Sequence, residues 1–146
     1  MGDLFGALAA RPQLARTLAA HVRELEAGTI PPRTRELIAL MVAWLNACDY
    51  CTCVHEEIAR DVGVDEETLA RLGDFACSPL FSAAERAALS ATVALTREPR
   101  ALPPAVWSEL RAHYDESTCV EIVAAIGLNN YLSRVVNALR LQPHAP

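Results

Sequence analysis

Residues 36–60 read ELIALMVAWLNACDYCTCVHEEIAR. The apolar run Leu37 to Leu45 lacks the alternation of a half-buried strand and is too short to cross a bilayer. It predicts a helix from about Arg33 to Asn46, with Leu37, Ile38, Met41, Val42 and Leu45 covering a wide, largely buried arc. A turn at Asn46 to Cys48 then starts a second helix reaching Arg60 or Asp61. At about 100° per residue, Cys51 and His55 fall within roughly 60° of Cys48 on that helix. Cys51 and His55 are also an i, i+4 pair, one turn apart. Two thiols and one titratable base therefore share a face, which is a redox or metal constellation.

The surrounding composition fits a helical protein. The chain has 146 residues, of which 52% are hydrophobic and only 5% aromatic, so its core is made of Ala, Leu, Val and Ile and favours helix packing over a sheet. This length suits one domain, residues 1–146, with room for a core. All 13 basic residues are Arg, scattered singly among acids, and the net charge is −5. No basic tract marks a nucleic-acid footprint. Met1 to Ala10 carries Asp3 and no basic n-region, so neither a secretory signal nor membrane association is expected and the cytoplasm is the expected compartment. Five cysteines in that setting argue against a disulfide framework, and a close Cys-x-x-Cys pair there is more often catalytic or metal-binding.

Reading outward, Asp3 to Ala27 predicts one or two helices interrupted near Pro12, ended by Gly28-Thr29-Ile30-Pro31-Pro32. Gly63 stops the motif helix, and Asp65-Glu66-Glu67 opens a short one with acids in its first turn. Ser82-Ala83-Ala84-Glu85 is a capping-box pattern starting a helix to about Leu95. Thr96 to Pro104 is a surface connection, and Pro104 sits at N1 of a short helix to His113. Asp115 to Leu141 is the longest helical pattern, with Val120, Val123, Gly127, Tyr131 and Val135 as one seam and Ile122, Ile126 and Leu132 off it. The tail from Gln142 is polar. The expected architecture is an all-α bundle of about six to seven helices in one domain.

The chemistry of the motif follows from thiol ionisation. A cysteine reacts as thiolate. A helix N-terminus favours the anion, and His55 offers either a counter-charge or a base. A thiolate facing a peroxide becomes a sulfenic acid, which a second thiol one turn away closes to a disulfide. Cys51 is assigned the attacking role because His55 is one turn from it and two from Cys48; Cys48 then resolves. The reverse order, as in thioredoxin-type motifs where the first cysteine attacks, stays open.

Glu36, followed twelve residues on by Cys48-x-x-Cys51-x-x-x-His55, resembles the alkyl hydroperoxidase D (AhpD-like) family of the wider carboxymuconolactone decarboxylase-like group. The similarity extends from the helix before Glu36 to the final helix with Asn129-Asn130-Tyr131. The resemblance implies an all-helical, homo-oligomeric protein, a trimer or hexamer with a dimer as the alternative. It further implies reduction of hydrogen or alkyl hydroperoxides through the cysteine pair without a cofactor, regenerated by a protein or small-thiol reductant. It matches Glu36 and His55 to a glutamate–histidine proton relay. Tyr50 stands where some members carry a further histidine, so a relay using that group is absent.

Rival readings remain beside this one. Glu36 can be an exposed acid next to Arg33 and Arg35, since a simple hairpin turning near Ala47 sets it opposite Ile58, a turn beyond His55. Cys48, Cys51 and His55 are legitimate zinc ligands but want a fourth, which only Cys77, Cys119 or His113 could supply through the tertiary fold. A zinc-stabilised non-catalytic module and a cofactor-free decarboxylase-type lyase are the alternative functions. Cys53, roughly 200° around the helix from Cys51, reads as a small core residue. Cys77 and Cys119 are isolated, with buried cysteine behaving as a small apolar group. Trp44 and Trp107 read as packing anchors. His21 and His113 read as surface residues and His144 as part of the tail. Glu56, Glu57 and Arg60 read as a solvated face.

Overall fold

A computed structural model describes residues 2–98 and 100–143, which form eight α-helices and no strand. They are α1 (Gly2–Ala7), α2 (Pro12–Glu26), α3 (Pro32–Leu45), α4 (Asp49–Asp61), α5 (Glu66–Ala70), α6 (Ala83–Arg97), α7 (Pro104–His113) and α8 (Glu116–Ala138). His144 lies outside the described residues, as does Pro99 in the connection after α6. The all-α class holds, with a somewhat higher helix count than expected. The N-terminal segment is two helices joined by a 3-10 turn at Leu8–Ala10, because Pro12 starts a helix at N1 but cannot sit inside one.

The helix ends follow local chemistry. Ser82 and Glu85 form the complete capping box at the start of α6, while Asp65 and Asp115 cap α5 and α8. Pro104 occupies the first position of α7. Gly63 follows α4 with φ +86°, a conformation glycine adopts without the Cβ penalty.

α3 is the central element. Leu37 through Ala43 are each at most 3% exposed, and α3 packs against α4, α6 and α8. Ile38 and Val42 join Ala88, Leu110, Ile122 and Ile126 in one core cluster. Leu37 and Met41 join Ala59, Phe81 and Leu89 in a second. The helix thus buries almost its whole circumference, as its apolar arc requires.

α8 is apolar on more than one side, as suits a helix packed within a bundle. Its length and hydropathy would also suit a membrane-crossing helix, yet Cys119, Ile122, Ala125, Ile126 and Val136 are buried inside the bundle. Of its two apolar sides, the one with Val120 and Tyr131 is outward, Val120 being 62% and Tyr131 41% exposed. Both faces are apolar, so periodicity alone does not choose between them; packing against α3 and α6 does. Trp44, expected as a packing anchor, is instead 58% exposed near Gly73 at the outer end of α3. Trp107 does pack against the core. Cys77 is exposed rather than buried, Cys119 is buried, and Cys53 is intermediate. Burial pushes the Cys119 thiol up, which keeps it protonated and unreactive. His21 and His113 are exposed, and Arg60 pairs with Glu56 and Glu66 on an outer face.

A partly buried ion pair joins the start of α3 to the start of α6. Glu85 accepts from Arg33 Nε at 2.8 Å and from Ser82 N–H at 2.7 Å. Burial raises the Glu85 carboxyl, but the Ser82 N–H and the Arg33 guanidinium outweigh it and hold the group below its ordinary value. A carboxyl lowered in the fold stabilises above its unfolded pKa, and the contribution disappears as pH falls through the folded value. Glu85→Ala should therefore cost about 1–2 kcal/mol at neutral pH by loss of the cap and the charged hydrogen bond. In urea melts the gap from the unmodified protein should narrow as pH drops through the carboxylate range.

Candidate active site

The site is built where α3 hands over to α4. Ala47 takes a left-handed conformation, φ 48°, which turns the chain, and Cys48 N–H donates to Ala43 C=O at 2.9 Å. Asparagines hold this turn from both sides. Asn46 Nδ2 donates to Asn130 Oδ1 at 3.0 Å, and Asn137 Nδ2 donates to Asn46 C=O at 3.1 Å. Asn130 in turn donates to Thr96 Oγ1 at 3.0 Å, tying the turn to α6 and α8. None of these contacts could be derived from sequence spacing, because their partners lie on different helices.

Cys48 is the N-cap of α4, and its Sγ accepts from Cys51 N–H at 3.3 Å. Cys48 and Cys51 form a disulfide with their Cα atoms 5.3 Å apart, within the usual bridging range. Cys48 is 1% exposed and Cys51 8%. Cys51 lines a cavity of about 120 Å³, whereas Cys48 sits behind it and does not.

Glu36 is buried, 4% exposed, and so is not the exposed acid of the rival reading. His55 Nδ1 donates to Glu36 Oε2 at 2.8 Å, and Arg35 Nε donates to Glu36 Oε1 at 3.4 Å. Both carboxylate oxygens are thus satisfied, as a buried acid requires. Arg33, also near Glu36 in sequence, is committed to Glu85. With Nδ1 occupied, His55 keeps Nε2 for a second proton exchange. Glu36, Cys51 and His55 all line the same cavity, so the structure brings the four singled-out residues together as two bonded pairs. Among the described residues, no group of three or more His, Cys, Asp or Glu is arranged to hold a metal ion.

The cavity walls were not legible in the motif. α1 and α2 supply Leu4, Phe5, Leu18 and Val22, while α8 supplies Leu128 and Leu132. Tyr50 also lines the cavity, and its buried hydroxyl has no hydrogen-bond partner among the described residues. Arg35, adjacent to Glu36 in sequence, also donates to Glu26 C=O at 3.2 Å, linking the site to the end of α2.

The model of the carboxymuconolactone decarboxylase family matches residues 12–94, which is more than half of the chain. The chain belongs to the carboxymuconolactone decarboxylase family. The family match takes in Glu36, Cys48, Cys51 and His55 and leaves α1, α7 and α8 outside it. Two relatives are the uncharacterized proteins YnjA of Escherichia coli and YdfG of Bacillus subtilis. YnjA is 31% identical over 80% of this chain, which spans 64% of YnjA's length. YdfG is 32% identical over 77% of both chains.

Solved structures place the chain in the AhpD-like group of the family. An Agrobacterium tumefaciens protein of unknown function, proposed to be the antioxidant defence protein AhpD, superposes with a TM-score of 0.90 at 26% identity, covering 96% of this chain and 97% of that one. An uncharacterized peroxidase-related protein from Silicibacter gives 0.87 at 25% identity over 97% and 76%. The debrominase Bmp8, in a cysteine-to-alanine variant bound to 2,3,4-tribromopyrrole, gives 0.86 at 27% identity over 94% and 74%. The same fold thus includes a debrominase beside peroxidase-related proteins.

Proposed function

We propose that the protein is a thiol-dependent peroxidase that reduces hydroperoxides through a Cys48/Cys51 dithiol–disulfide cycle. The observation that carries this reading is that Cys51 opens onto the same cavity as the Glu36–His55 pair while Cys48 is bonded behind it. In the reduced state His55 Nε2 takes the Cys51 proton. The thiolate attacks the outer oxygen of ROOH, the O–O bond breaks, and Cys51 becomes a sulfenic acid. The departing alkoxide receives the proton held by His55 and leaves as ROH. Cys48 then attacks the sulfenic sulfur, forming the disulfide and releasing water. A dithiol reductant, protein or small molecule, returns two electrons and two protons by thiol–disulfide exchange. Glu36 orients and charges the imidazole.

Stoichiometric peroxide should join Cys48 to Cys51, and peptide mass spectrometry should find Cys53, Cys77 and Cys119 largely as thiols. Cys77 is exposed but does not line the cavity that holds Cys51 and His55. A dominant link between Cys51 and Cys53, or between Cys48 and Cys119, would contradict the assignment.

A second reading uses the same electrons. The likeness to a debrominase and a cavity of ring-like size beside Cys51 favour reductive removal of halide from a compact haloaromatic compound. Carbon–halogen bond cleavage would consume the dithiol and release the dehalogenated ring, halide and a proton as the disulfide forms. Bromide release measured on bromopyrroles, set against peroxide consumption, separates the two. The lyase alternative needs no thiol, so turnover of a lactone acid by a variant lacking both cysteines would favour it.

We further propose that the protein acts as a homo-oligomer, a trimer or hexamer. The apolar outer side of α8 with Val120 and Tyr131, together with Leu14 of α2, supplies surface for a subunit contact. Light scattering at micromolar concentration should report a multiple of 15.8 kDa, and a monomer would reject the proposal.

A further inference from the structure

The cavity beside Cys51 has one wall that the family match only partly includes. Val22 of α2 lies inside residues 12–94, whereas Leu4 and Phe5 of α1 precede them. Leu18 and Val22 are spaced i, i+4 and face the cavity together. α2 rests lightly on the body, only Leu18 of it being buried, and α1 is anchored by Leu4. The segment is tied down at its far end, where Thr29 N–H donates to Glu121 Oε2 at 2.7 Å and Arg35 holds Glu26 C=O. The opposite wall, with Val54 and Ile58 on α4 and Leu132 on α8, belongs to the helices that hold the cysteines or pack behind them.

Volume and lining together restrict what fits. The space is about 120 Å³, and an apolar cavity of about 150 Å³ elsewhere takes up benzene and stays dry. Hydrogen peroxide has no apolar surface to bury there, and a long acyl chain exceeds the space. We propose that α1 and α2 form the size-selecting wall of the site, with Phe5 and Val22 restricting the cavity over Cys51 to a compact apolar organic group such as a phenyl or tert-butyl substituent. The inference rests on the reading of Cys51 as the reacting thiol.

The test compares kcat/KM for cumene, tert-butyl, linoleic acid and hydrogen peroxides in the full chain, Phe5→Ala and Val22→Phe. The unmodified protein should favour cumene hydroperoxide over both hydrogen peroxide and linoleic acid hydroperoxide. Phe5→Ala should raise the long-chain to cumene ratio by about tenfold or more, and Val22→Phe should lower the cumene to hydrogen peroxide ratio by a similar factor, the scale on which apolar pockets discriminate. Ratios that stay put in both variants, with helical circular dichroism intact, overturn the proposal, as does a preference for hydrogen peroxide in the unmodified protein.

A readout independent of turnover separates this failure from that of the peroxidase reading. In the reduced protein, Cys51 should react faster with N-ethylmaleimide than with pyrenyl maleimide, and Phe5→Ala should narrow the difference. If no peroxide is consumed but this discrimination appears and narrows, the peroxidase reading fails and the size wall stands. Equal reaction of both reagents in the unmodified protein overturns the size wall even if peroxides are reduced.

Discussion

Cys51→Ser should reduce peroxide kcat/KM by about 10³ or more, because a nucleophile that acts as one unit with its base leaves little residual rate when removed. The expectation rests on position: Cys51 lines the cavity and Cys48 does not. Cys48→Ser should behave differently. Its Cys51 can still attack once, so one equivalent of peroxide should be consumed in a burst that leaves a sulfenic acid trappable by dimedone. Turnover should then stop, since no thiol is placed to close the disulfide. A burst in Cys51→Ser and none in Cys48→Ser would reverse the order of the two cysteines and place the attacking sulfur at the N-cap of α4.

His55→Ala should slow peroxide reduction by about 10² to 10⁴, the usual contribution of a positioned general base. It should also move the pH profile of Cys51 alkylation upward, since the thiolate loses its base and counter-charge. Glu36 is a positioning residue acting through the imidazole, by way of the 2.8 Å contact to His55 Nδ1. Glu36→Gln should therefore give a smaller loss with a shift of the alkylation profile in the same direction. Combining it with His55→Ala should add little, because residues in one hydrogen-bonded unit are not additive. Both single variants should retain helical circular dichroism. An unchanged alkylation profile in His55→Ala, with the fold intact, would mean that the N-terminus of α4 alone activates the thiol.

Local chemistry made most helix limits readable. Pro12 and Pro104 start helices, Ser82, Asp65 and Asp115 cap them, and Gly63 ends one, each through interactions within a few residues of chain. For the same reason Cys48, Cys51 and His55 could be set on one face of α4 from spacing alone. Glu36 could be joined to them only by resemblance, because its approach to His55 depends on the register of two helices. That register is set by the left-handed turn at Ala47 and the Asn46, Asn130 and Asn137 contacts across to α8. The buried face of α8 was undecided for a related reason. Both its sides are apolar, and only the positions of α3 and α6 determine that Ile122 and Ile126 go inside while Val120 and Tyr131 stay out. The cavity is the clearest case of tertiary control: Phe5, Val22, Cys51 and Leu132 meet around it from four separate helices. Periodicity reports which face of a helix is apolar, whereas the partner of that face is set by packing between distant segments of the chain.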